Sequence, residues 1–148
     1  MNIGTIRPVI YLFGILFVLY VLAIIFGWFD LAPWIDIPMH LLGGAWAGAL
    51  FLFLGRGYIL PDLYAHTIER LKLAGLTGIF GSFMGVLWEF LEFVLGQLEG
   101  FEGFAQVSVR DTLGDLCMDI VGAVLYAAIV LFVIPRIKAR NNSVSQNE

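Results

Sequence analysis

The chain has 148 residues, of which 60% are hydrophobic and only 14% are charged, and its net charge is −4. A soluble domain would carry roughly a quarter charged residues, so the composition excludes an ordinary soluble protein and indicates segments that lie in lipid. The one cysteine, Cys117, excludes an internal disulfide and a cysteine-based metal motif.

Four apolar stretches are long enough to cross a hydrocarbon core, which requires about 20 residues of helix. They cover about residues 8–29, 38–60, 73–95 and 113–134. We therefore predict an all-α fold in which residues 1–135 form one four-helix membrane domain. The basic, then polar tail at 136–148 is predicted to be disordered, because it has too few apolar residues to pack.

The basic residues predict the orientation of this bundle. Four spans place seven of the eight lysine and arginine residues on one side of the membrane and leave Arg110 alone on the other. The seven are Arg7, Arg56, Arg70, Lys72, Arg136, Lys138 and Arg140. The positive-inside rule therefore predicts that the N- and C-termini are cytoplasmic. We expect a multi-pass protein of a bacterial inner (plasma) membrane, surrounded by the lipid bilayer.

Small residues recur at helical spacing in the two middle spans. Gly44 and Gly48 are four apart in the second span, and Gly81 and Gly85 are four apart in the third. This spacing lets two helices approach closely. It allows either a homo-oligomer through one of these stripes or packing inside the bundle, and we favour packing inside the bundle.

Acidic residues collect in the outer part of three spans. Asp36 lies four residues before His40 at the start of the second span, so the two side chains share a helix face. Late in the third span, Glu89 and Glu92 are three apart. The fourth span carries acidic residues at intervals of four. These are Asp111, Asp115 and Asp119, with Arg110 at the rim. The three helices are therefore predicted to bring their polar groups to one leaflet.

Six carboxylates in a low-dielectric pocket cannot all be ionised unless cations compensate them. Some must be protonated, or a metal ion must bind, or the cluster must open to water. Some of these residues also suit purely structural roles within their own helix. Asp36 stands two residues before Pro38 and is suited to a helix N-cap. Thr112 with Asp115 imitates a capping box, and Asp111 fits an exposed loop.

The cluster could also be a closed polar network that only holds the helices together, with either His40 paired to Asp119 or Arg110 paired to Glu92. The functional interpretation is a site for Mg, Ca, Mn or Zn, because carboxylates with one imidazole suit such ions. Its predicted metal ligands are Asp36, His40, Glu89, Asp115 and Asp119.

Catalytic and substrate-binding roles follow from the same chemistry. Glu89 and Glu92 are candidate general bases, and Arg110 with Asp111 would contact an anionic substrate such as a phosphate. The sequence has no phosphate-binding loop or dinucleotide fingerprint, and no basic patch supports nucleic-acid binding.

Several of these residues resemble those of a known group of membrane proteins. Asp36-Ile-Pro-Met-His40, Trp88-Glu89-Phe-Leu-Glu92 and Arg110-Asp111-Thr112 with Asp115, Asp119 and Gly122 are similar to motifs of the VanZ-like membrane proteins and the related YjdF-like family. The resemblance implies a small bacterial inner-membrane protein of four or five helices. Ile37 stands where a basic residue is frequent, and Asp119 where an asparagine is usual. The teicoplanin tolerance of some VanZ-like members is therefore not carried over.

Three functions fit these features. The first is an enzyme or binding protein whose metal site acts on or binds a lipid headgroup or another phosphate-containing envelope molecule. The second is a protein that binds or transports a cation, a proton or a small solute. The third is a structural or partner-binding subunit with an internal polar network. Transport ranks below a surface-facing site, because the inner halves of the spans are almost wholly apolar.

The predicted orientation can be tested by labelling. Single cysteines placed within residues 62–69 and 99–102, in a chain that lacks Cys117, should differ in their access to an impermeant thiol reagent. We expect label from outside the membrane only on cysteines at 99–102, because the 62–69 loop is flanked by Arg56, Arg70 and Lys72 and should stay inside. The reverse pattern would overturn the orientation and the outer position of the acidic cluster.

Overall fold

Helices make up nearly all of the described backbone of this protein. The computed structural model describes residues 5–56, 66–98, 108–137 and 142. The helices are α1 (Ile6–Ile25), the short α2 (Trp28–Leu31), α3 (Asp36–Gly55), α4 (Thr67–Leu95) and α5 (Val109–Ala128). A 3-10 turn at Pro33–Ile35 precedes α3, and a π-helical segment at Ile129–Val133 continues α5.

Four helices are long and apolar enough to cross a membrane, and no strand occurs in the described ranges. These spans are Ile6–Ile25, Pro33–Gly55, Thr67–Leu95 and Val109–Ile137. The predicted all-α, four-span bundle is confirmed. The predicted ends at 57–60 and the tail from 138, apart from residue 142, lie outside the described residues.

The fourth span starts earlier than the apolar pattern predicts. Its helix begins at Val109, because the Ser108 side chain accepts a hydrogen bond from the backbone N–H of Asp111 at 3.2 Å and so caps the first turn. The predicted capping box of Thr112 and Asp115 is therefore wrong. Asp119 lies ten residues into this helix, about 15 Å along its axis.

The predicted capping role of Asp36 is also wrong. Asp36 is the first residue of α3, and no side-chain hydrogen bond caps that helix start. The 3-10 turn that begins at Pro33 leads directly into α3 and continues its helical path. The Asp36 carboxylate is therefore not engaged with its own helix terminus.

The helices α3, α4 and α5 pack on one another, whereas α1 packs mainly on α3. Glycines permit this close packing. A Cβ atom added at Gly44 would overlap the backbone of Asp119, and one added at Gly122 would overlap the backbone of Leu41. Gly48, Gly81 and Gly85 also face α5. The interpretation that both glycine stripes serve packing inside the bundle is confirmed, and a homo-oligomer stays a prediction.

The two ends of the bundle differ in chemistry. We call the end at which α3 and α5 begin the acidic end, and the other the basic end. Near the basic end, an apolar core forms between α3, α4 and α5. It consists of Leu52, Leu73, Ala74, Ala127 and Leu131. There the Arg70 side chain donates a hydrogen bond of 3.3 Å to the backbone carbonyl of Leu131, so α4 begins beside the place where α5 ends.

The tight glycine contact predicts a specific loss of stability. Gly44→Ala should destabilise the bundle by about 1–3 kcal/mol, because the added methyl group forces α3 away from α5. Gly75→Ala is the matched control, since the space beside Gly75 is open and alanine favours a helix by roughly 1 kcal/mol. Thermal unfolding in detergent measures both. Equal stability of Gly44→Ala and wild type would contradict the packing.

Candidate functional site

His40 lies at the centre of the polar groups near the acidic end. Its side chain is only 5% exposed, and its Nδ1 is 3.2 Å from Oδ2 of the equally buried Asp119. An ionised carboxylate can only accept a hydrogen bond, so Nδ1 is the donor in this pair. In the neutral ring, the lone pair is then on Nε2.

The second ring nitrogen of His40 is the most informative atom of the site. Nε2 is buried and has no hydrogen-bond partner within the described part of the chain. Oδ1 of Asp36 lies 3.7 Å from it, which is too long for a hydrogen bond. A buried nitrogen without a partner is costly unless something else engages it.

Two sets of three side chains that include His40 lie close enough together to hold a metal ion. In one set, single ligand atoms of Asp36, His40 and Asp115 all lie within 4.8 Å of one another. In the other set, the same holds for His40, Glu89 and Glu92. Three of the other predicted metal ligands thus share a set with His40, Asp36 and Asp115 in the first and Glu89 in the second. Glu92, predicted only as a base, belongs to the second set.

Asp119 has a different place from the one predicted. It belongs to neither set of three, and it contacts the Nδ1 side of His40 instead. The carboxylate of Asp119 occupies space beside Gly85, and a Cβ atom added at Gly85 would overlap this carboxylate. Carboxylates in this position orient a metal-bound imidazole rather than bind the metal themselves.

Hydrogen bonds from neighbouring side chains hold Glu89 and Glu92, the two glutamates of α4 near the acidic end. Thr112 on α5 donates a hydrogen bond of 2.7 Å to Oε2 of the buried Glu89. Trp88 donates one of 2.7 Å to Oε1 of Glu92. Sequence reasoning missed both donors. Helical spacing could have indicated Trp88, which is four residues before Glu92, whereas no local spacing connects Thr112 with Glu89 on another helix.

Arg110 and Asp111 belong to neither set of three. Both side chains are exposed in the first turn of α5, outside the two sets around His40. Among the described residues, Arg110 has no hydrogen bond or ion pair, and Glu92 is bound to Trp88. The hypothetical Arg110–Glu92 link is therefore not observed there, whereas the His40–Asp119 link is.

The fold and the polar cluster define a four-span α-helical membrane protein with a histidine-centred acidic site at one end. The chain belongs to the family described as predicted membrane protein (DUF2238), whose sequence profile matches residues 4–136. No curated protein and no solved structure matches the chain significantly. The family confirms the expectation of a membrane protein and leaves the VanZ-like and YjdF-like resemblance a prediction.

The His40–Asp119 pair predicts energetic coupling between α3 and α5. In a double-mutant cycle of His40→Ala and Asp119→Ala, we expect a coupling energy of about 0.5–2 kcal/mol, because each side chain loses its buried partner. His40→Ala combined with Glu69→Ala is the control, since Glu69 lies at the basic end and its effect should simply add. Additive effects of His40→Ala and Asp119→Ala in thermal unfolding would refute the pair.

Proposed function

We propose that the protein binds a divalent cation at the acidic end through His40, together with carboxylates of Asp36, Asp115 and Glu89. The proposal includes a bacterial inner-membrane location with cytoplasmic termini, so that the acidic end faces outward. We also propose that this family of predicted membrane proteins is related to the VanZ-like and YjdF-like proteins. The observation that supports the cation site is the buried Nε2 of His40, which lacks a hydrogen-bond partner among the described residues and is surrounded by carboxylates.

The charges of the site support a cation rather than an anion. Asp36 and Asp115 form one set with His40, and Glu89 with Glu92 forms a second set with the same residue. Like charges repel strongly in a low dielectric. A divalent ion would compensate two of these charges and engage Nε2. A mixed set of imidazole and carboxylate ligands suits Zn or Mn better than Mg or Ca, which prefer oxygen alone.

The proposed substrate is a phosphate-containing headgroup of a lipid or of another envelope molecule. A cation at this depth would polarise a phosphate oxygen, and the exposed Arg110 at the rim would bind other oxygens of the same group. Asp111 lies beside Arg110 and is assigned to substrate contact. Glu92 is only half-buried, so it is better placed than Glu89 to act as a general base.

The packing of the basic end weighs against a transport function. A path from Asp119 across the bundle would pass Thr77, whose hydroxyl is engaged with the Leu73 carbonyl at 2.7 Å. Beyond it, the fully buried Leu52, Leu73 and Leu131 fill the space between the helices. No polar route is visible within the described residues, so a relay of ions or protons would require opening this core.

An internal polar network is the second candidate function. The link from Thr112 to Glu89 joins α5 to α4, and the link from His40 to Asp119 joins α3 to α5. If enough carboxylates were protonated, these bonds would stabilise the bundle without a metal. This network and a cation site differ in one measurable property, because only a cation site gains stability from added metal.

Metal binding by the purified protein tests the proposal. After chelation, we expect added Mn or Zn to bind stoichiometrically and to raise stability by about 2.7 kcal/mol at 100 times the dissociation constant. Asp36→Asn and Glu89→Gln should abolish most of this gain. Asp119→Asn should retain binding but weaken it by about 10–100-fold, since Asp119 orients the imidazole.

The matched control is Glu69→Gln, which neutralises a carboxylate near the basic end. It should bind the metal like wild type. Absence of stoichiometric metal, with unchanged stability in Glu89→Gln and Asp119→Asn, would reject the cation site. A metal effect that Glu69→Gln also removes would show binding outside the cluster and would reject the assigned ligands.

A further inference from the structure

A cavity of about 500 Å³ adjoins the acidic cluster between α1, α3 and α4. Asp36, His40 and Asp119 border it, and the rest of its wall is almost entirely apolar. On α3 the wall extends from Asp36 to Trp46, which is about 15 Å of helix. A single leaflet has a hydrocarbon depth of about the same size, half of the roughly 30 Å core.

The cavity exists because α1 does not close against α4. The helix α1 packs mainly on α3. Aromatic rings connect α1 to α3 at one level and to α4 at another. The ring of Phe13 on α1 lies 5.7 Å from that of Trp46, at the deeper level of the cavity. Nearer the acidic end, the ring of Tyr20 meets that of Trp88 on α4 at 5.2 Å, edge to face. A cleft with apolar sides is left between these two levels.

This cleft is partly open at the surface of the bundle. Phe17 on α1 and Leu87 on α4 line opposite sides of it, and their side chains are 59% and 46% exposed. Both residues lie inside membrane-spanning helices, so the surrounding medium is the hydrocarbon of the bilayer. The molecules that reach the cleft laterally are therefore membrane lipids.

We propose that this cleft binds one acyl chain of a membrane phospholipid and thereby places the lipid phosphate beside His40 and Asp36. The inference rests on the proposed cation site, because the acidic groups alone would repel a phosphate. It names the substrate class of that site as a phospholipid that enters sideways between α1 and α4. The volume of the cleft is within the usual range for small-molecule sites.

Tryptophan quenching by brominated acyl chains tests the position of the chain. Trp46 is the deepest aromatic reporter on the α3 wall, and its indole N–H is buried. The reporter protein keeps Trp46 and carries Trp28→Phe, Trp34→Phe and Trp88→Phe. In vesicles with a minor fraction of brominated phosphatidylglycerol, we expect Trp46 to lose far more fluorescence than that fraction predicts, since the bound chain lies against it.

The matched control places the reporter on the lipid-facing side of α4. It carries Phe90→Trp together with replacement of all four native tryptophans by phenylalanine, because Phe90 is 63% exposed and does not line the cleft. Its quenching should follow the mole fraction of brominated lipid. Should Trp88→Phe prevent folding, the contribution of Trp46 is obtained as the difference between wild type and Trp46→Phe.

Three outcomes would overturn the acyl-chain site. The first is a Trp46 signal that is unaffected in fully brominated vesicles while the Phe90→Trp reporter is quenched. The second is quenching of Trp46 only in proportion to mole fraction, as at a general lipid contact. The third is quenching that a polyprenyl phosphate relieves and unbrominated phosphatidylglycerol does not, which would assign the cleft to a different lipid.

His40→Ala separates this inference from the cation proposal. If the cation site and the acyl-chain site are both correct, brominated phosphatidylglycerol quenches Trp46 of the wild type more than brominated phosphatidylcholine does. His40→Ala or chelation then removes this preference, while the acyl chain still quenches Trp46. Excess quenching of Trp46 that is independent of metal and headgroup supports the chain site and rejects the cation as its partner. Metal binding without excess quenching rejects the lipid site alone.

Discussion

The backbone of α5 at Asp119 lies so close to α3 and α4 that only glycine fits opposite it. Gly44 faces the Asp119 backbone, and Gly85 faces its carboxylate. In a bilayer the hydrophobic effect does not press helices together, so close van der Waals packing between glycine surfaces and buried hydrogen bonds must do so. This contact brings α3, α4 and α5 together at one level, and it carries a carboxylate about 15 Å into the bundle.

The polar site depends directly on that contact. Asp119 is held by the glycines and in turn holds Nδ1 of His40, so the imidazole presents Nε2 to the carboxylates of the neighbouring turns. Side chains of three helices, α3, α4 and α5, contribute to the arrangement. The helix α1 stands outside this core and packs mainly on α3, which leaves the lateral cleft beside the site.

Predictions from local sequence patterns were confirmed for the helix face on which a side chain lies, which depends on one helix alone. They were wrong for helix caps, which form where two elements meet. The spacing of Asp36 with His40 and of Asp115 with Asp119 placed each pair on one helix face, and both pairs reach the cluster. The predicted capping roles of Asp36 and of Thr112 with Asp115 were wrong, because Ser108 caps α5 and a 3-10 turn leads into α3. Cap choice depends on the path of the preceding chain, which apolar periodicity does not report.

The sequence by itself determined the membrane class, the four spans, the glycine stripes and the helix faces that carry charge. Those properties follow from composition and from the 3.6-residue helical period, which act within one segment. Only the tertiary structure decided that Asp119 pairs with His40 outside the two sets of three, that Glu92 belongs to one of those sets, and that Arg110 belongs to neither. These outcomes depend on helix rotation and axial offset, which are set by contacts between residues far apart in the chain, such as Gly44 with Asp119.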